Sequence, residues 1–157
     1  VRFRPVYVRA LDSFQNGCPF QDKKTQYIAR DIERCVTHEG VPMQAPVEFP
    51  INGLYALRGA LVAQKLGKLA VYHSGVFRAA WLERRPVSTL EHVQALSREL
   101  GCPEVADGLE EPAIKAELRA LTEDAAARGA FGVPTFFVGD EMFWGHDRMD
   151  YVQRALV

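Results

Sequence analysis

A chain of 157 residues suits one domain carrying an insertion, and its 48% apolar content supplies a core that excludes a disordered chain. With 19 Lys plus Arg against 20 Asp plus Glu, the formal net charge is −1, which lacks the basic excess expected of a nucleic-acid binder. The three cysteines, Cys18, Cys35 and Cys102, form no CxxC pair or zinc framework, and no apolar run approaches the roughly 20 residues of a membrane helix.

These features point to a reducing compartment, the cytoplasm, with no membrane partner. The sequence opens on Val1 without an initiator Met and inside a strand-like run, as expected of a processed or truncated product or of a chain with residues ahead of it. Val1, Phe3, Val6 and Val8, interrupted by Pro5, predict a short strand near a sheet edge. Asn16-Gly17 followed by Pro19 predicts a loop. From Lys23 to about His38 the apolar residues Tyr27, Ile28, Ile32, Cys35 and Val36 recur at helical spacing, and Glu39-Gly40 ends the run.

Pro42, Pro46 and Pro50 keep the next stretch extended. A second helix starts at Asn52 or Gly53 and ends near Gly67, and a third runs from Val71 to Glu83 before Pro86. Ser88 with Glu91 three residues on is a capping-box pattern for a fourth helix, Thr89 to Leu100. A fifth opens at Glu110-Glu111-Pro112 and stops at Gly129. Thr135 to Val138 and Met142 to Trp144, joined through Gly139-Asp140-Glu141, predict a hairpin, and Asp147 to Leu156 a last helix. One early strand, a block of helices and a late hairpin predict an α/β fold: a small sheet domain, residues 1–20 and 110–157, interrupted by an all-α insertion, 21–109.

Chemistry concentrates in two places. In Gly132-Val133-Pro134-Thr135, Pro134 either starts the strand in trans or holds a cis bond that turns the Val133 N–H and C=O outward, where a peptide-like ligand can pair with them. In Trp144-Gly145-His146-Asp147-Arg148, Asp147 either caps the last helix or takes a ligand ammonium, while a ligand carboxylate meets the helix-start amides. His146 reads as a solvated loop histidine and Arg148 as a partner for a nearby carboxylate. Asn16 and Lys24 are polar-substrate candidates whose default roles are turn and surface. The thiols lack an activating neighbour, and the four histidines show no metal spacing, so no metal is expected.

With both segments in view, the chain resembles the thioredoxin-fold family that contains 2-hydroxychromene-2-carboxylate isomerase and kappa-class glutathione transferase, relatives of the DsbA-type oxidoreductases. The likeness runs through Asn16-Gly17, the Lys24–Asp31 helix with Tyr27, Phe49-Pro50 before Ala56 and Arg58, Phe77-Arg78-Ala79 with Trp81, and the two late motifs. It implies a glutathione-binding thioredoxin-like sheet domain with a helical insertion, a homodimer, and a small aromatic substrate. Residue by residue, it implies that Val133, beside a cis Pro134, pairs with the cysteinyl backbone of glutathione. His146 and Asp147 would grip the γ-glutamyl end, with Asn16 and Lys24 on the substrate side. The activating Ser or Cys that the family implies falls ahead of Val1, along with its strand and helix. Three readings follow: a glutathione-dependent isomerase or transferase, a thiol–disulfide oxidoreductase with an upstream CxxC, or a non-catalytic homologue acting through oligomerisation.

Overall fold

The computed structural model describes residues 1–14 and 22–157. Its helices are α1 (Asp22–Glu39), α2 (Leu54–Lys65), α3 (Leu69–Trp81), α4 (Leu90–Glu99), α5 (Pro103–Gly108), α6 (Pro112–Ala127) and α7 (Met149–Ala155). Between α6 and α7 lie β1 (Thr135–Val138) and β2 (Glu141–Trp144). These pair antiparallel as a two-stranded sheet among the described residues.

The expected strand at Val1–Val8 does not form. Residues 1–7 are irregular and Val8–Ala10 is a 3-10 turn. A strand requires a neighbour to receive its amides, and this segment instead lies against α6 through side chains. Arg4 Nη1 meets Asp124 Oδ2 at 2.7 Å, and the Tyr7 amide donates to Thr122 Oγ1 at 3.1 Å.

Helices α2 to α6 pack around one buried cluster that takes in Leu61 and Val62 of α2, Tyr72 of α3, Val93 of α4, Val105 of α5, then Leu109, and Ile114 and Leu118 of α6. Apolar residues three and four apart on each helix supply this face. Burial pushes the Tyr72 hydroxyl well above the ordinary tyrosine range, and the group donates to the Ala56 carbonyl at 3.1 Å. A second cluster joins Ala79 and Ala80 to Val87 and Leu96, with Ile51 and Trp81 packed on it. In α1, by contrast, no described side chain is buried.

Two details correct the sequence expectations. The cap of α4 is Thr89, whose hydroxyl accepts from the His92 amide at 3.3 Å, while Ser88 turns away and accepts from the Asn52 amide at 3.2 Å. The cap therefore moves by one residue, and with His92 three positions after it the box does not form. Glu91 bonds to its own backbone amide and to Thr89, which holds its carboxyl below the usual range. The sequence reading also passed over α5, a short helix with Pro103 at its first turn and set between two turn signals.

Candidate functional site

The site grows from the hairpin. The register sets Thr135 opposite Trp144, so the residues just before β1 lie beside those just after β2. The Gly145 amide donates to the Pro134 carbonyl at 3.0 Å, and Thr135 Oγ1 donates to the Gly132 carbonyl at 2.6 Å. These bonds join the Val133-Pro134 junction to the Gly145-His146-Asp147 segment at one end of the sheet. The Val133-Pro134 peptide is cis, as is Phe49-Pro50, a junction the sequence reading named for its family likeness but not as a cis bond. Among the described residues, no hydrogen bond reaches the Val133 N–H or C=O, and the Val133 side chain is 52% exposed. A buried backbone pair left this way would be costly, whereas an exposed one is an available edge for an extended ligand.

Two aromatic residues flank that edge. Phe131 and Trp144 have ring centroids 4.9 Å apart at a 51° tilt, and both are close to half exposed. Gly132 makes this packing possible: a Cβ built there would lie 2.8 Å from Trp144 Nε1, closer than two such atoms can approach. Ser13 Oγ donates to the Phe131 carbonyl at 2.5 Å and ties the N-terminal segment to the same end. Sequence reasoning used Gly132 only as part of a helix exit. Its separation from Trp144, across a predicted hairpin, is the signal that would have paired them.

His146 and Asp147 are both exposed and belong to a 3-10 turn, His146–Arg148, that leads into α7. The expected capping role for Asp147 is not observed. Gly145 holds the cap position without a side-chain bond, and the Asp147 carboxylate pairs with Arg148 Nη1 at 2.7 Å. Asp147 Oδ1 instead folds back over Gly145, where a Cβ would come within 2.5 Å and φ is +103°. The positive φ requires glycine there, since the exposed Asp147 side chain could swing away from a Cβ. With Asp147 60% exposed, its ion pair with Arg148 is a weak surface contact that a ligand ammonium can displace.

The structure thus brings Val133, Pro134, His146 and Asp147 to one end of the hairpin. Lys24 is exposed near the start of α1, on a different element, and Asn16 lies outside the described residues. Cys35 is exposed and Cys102 buried, and Cys18 also lies outside the described residues. No cluster of metal-ligating side chains occurs among the described residues, and no described helix is long and apolar enough to cross a membrane.

Comparison with known proteins identifies the family. The chain is 32% identical over 136 residues to the 2-hydroxychromene-2-carboxylate isomerase of Pseudomonas putida, covering 85% of this chain and 66% of that protein. It is 27% identical to the protein of the same name from Sphingobium xenophagum, covering 85% and 69%. The chain therefore spans about two thirds of the length of these relatives. A solved 2-hydroxychromene-2-carboxylate isomerase superposes with a TM-score of 0.80 over 99% of this chain and 78% of that one, at 24% identity, so its fold is shared. The family model for a DSBA-like thioredoxin domain matches residues 1–157, and the chain belongs to that family.

Proposed function

We propose that the protein is a glutathione-dependent isomerase of the 2-hydroxychromene-2-carboxylate isomerase type, acting on a small aromatic substrate. The relatives' names support the reaction class. The observation that carries the glutathione part is the unpaired backbone edge of Val133 at the same end of the hairpin as the exposed Asp147 carboxylate. A tripeptide with a free α-amino group needs both: a strand-like edge for its middle residue and a carboxylate for its amino end. The residues present fit such a ligand.

Val133 would pair with the cysteinyl N–H and C=O, which fixes the direction of the peptide. Asp147 would exchange Arg148 for the γ-glutamyl ammonium, with His146 beside it. Trp144 and Phe131 would wall the thiol side with apolar surface, where an aromatic ring packs favourably. When bound, glutathione supplies a thiol that adds to a conjugated double bond and leaves again after the bond has rotated. The chain's part is to hold that thiol and the substrate in register.

The test is calorimetry with glutathione, followed by a spectrophotometric assay of 2-hydroxychromene-2-carboxylate conversion with and without it. Saturable binding and glutathione-dependent conversion are expected. Conversion at the same rate without glutathione, or no binding of the tripeptide, overturns the reading.

A further inference from the structure

The Val133 edge adjoins Gly132, and packing dictates that glycine: a Cβ there would come within 2.8 Å of Trp144 Nε1. The missing Cβ that admits the indole also frees the backbone on both sides of Gly132. The Val133 N–H shares one rigid peptide plane with the Gly132 carbonyl, so whatever holds that carbonyl aims the N–H. An edge that has to meet a ligand at a set angle therefore needs restraints around Gly132.

Two hydroxyls supply them, one for each peptide plane that bounds the glycine. Thr135 Oγ1 donates to the Gly132 carbonyl at 2.6 Å, from three residues along the chain and the first position of β1. Ser13 Oγ donates to the Phe131 carbonyl at 2.5 Å, from 118 residues away. The N-terminal segment does not depend on this second bond for its own place. It is anchored by Leu11, which is 1% exposed, by the Tyr7 amide on Thr122, and by Arg9, whose Nη2 donates to the Pro50 carbonyl at 2.8 Å. Ser13 itself is exposed, in the 3-10 turn Asp12–Phe14, so loss of its hydroxyl costs global stability little. What the bond does fix is the Phe131–Gly132 peptide, with the Phe131 ring on one side of it and the Trp144 indole over the next residue.

We propose that Ser13 is a positioning residue for the tripeptide: its hydroxyl fixes the Phe131–Gly132 peptide, and through it the seat of the Trp144 indole and the direction of the Val133 edge. An edge held before the ligand arrives spares binding the entropy of ordering it. The inference rests on the glutathione reading for its ligand, whereas the hold on Trp144 is a property of the free protein.

The test compares the original chain with Ser13→Ala and with Ser13→Thr, which keeps the hydroxyl. In calorimetry Ser13→Ala is expected to bind glutathione about fivefold more weakly and Ser13→Thr as the original does, with melting temperatures unaltered. In the isomerase assay the KM for glutathione rises by the same factor while kcat holds, a split that mere loss of folded protein would not produce. With no ligand present, the Trp144 indole N–H resonance, assigned by its absence from Trp144→Phe, is expected to shift in Ser13→Ala and to return in Ser13→Thr. Unchanged affinity in Ser13→Ala, failure of Ser13→Thr to restore it, or an indole resonance that stays in place overturns the proposal. If the original chain binds no glutathione, the functional reading falls and this role with it. If the original chain binds and Ser13→Ala binds equally well, the Ser13 role alone is removed.

Discussion

The helical block is closed to water where the hairpin end is open to it. In the block, Tyr72, Val93, Val105 and Leu109 are almost fully excluded from water, and Tyr72 satisfies its hydroxyl internally. At the hairpin end, Val133, Trp144 and Asp147 are about half exposed or more, and the Val133 backbone is left open. Buried apolar area is what stabilises a fold, and unsatisfied exposed groups are what a ligand recognises. The exposed residues of the hairpin end are thus ones whose loss the core scarcely registers.

The largest effect that tests this division is at Tyr72. Replacing it with Ala leaves a cavity and removes the bond to Ala56, so a loss of about 3 kcal/mol or more is expected in a denaturant melt. Next comes Asp147→Ala, which is expected to weaken glutathione binding about tenfold in calorimetry while His92→Ala leaves it unchanged. Equal affinities for the two variants would remove Asp147 from the site, and a melting temperature lowered as far as by Tyr72→Ala would erase the contrast between the regions. Thr89→Ala removes the cap of α4 and is expected to cost about 1 kcal/mol with no change in ligand affinity.

The smallest effect is a pH dependence. Glu91 has its carboxyl pKa lowered by its own amide and by Thr89. Its contribution is therefore present above the ordinary glutamate pKa and is lost as pH falls through the lowered one. Thermal melts from neutral to acid pH are expected to converge partly for the original chain and Glu91→Gln, the difference being confined to the upper part of that range.

Much of the fold was legible because it rests on local rules. The stripes of α2, α3, α4 and α6 follow from apolar spacing, Gly129 marks the exit of α6, and the hairpin shows in Thr135-Phe136-Phe137-Val138 followed by a Gly-Asp turn. Boundaries shifted where two residues competed for one role, as Ser88 and Thr89 did for the α4 cap. The N-terminal strand was misread because alternation describes a segment's suitability for a sheet and not whether a neighbour is there to pair with it. In the candidate site, Val133, Pro134, His146 and Asp147 were found as two separate motifs. That they meet depends on the Gly145 to Pro134 bond, which composition does not reveal.

The sequence alone determined the helical majority, the late hairpin and the likeness to a thioredoxin-type family, since periodicity, capping and turn residues act within a few positions of themselves. Tertiary structure alone decided that Gly132 lies under the Trp144 indole, that Asp147 bends over Gly145 in place of capping α7, and that Arg58 of α2 faces Lys115 and Arg119 of α6 across one cavity. Each of these joins residues through space. Distance along the chain carries no information about such contacts until packing has closed the loops between them.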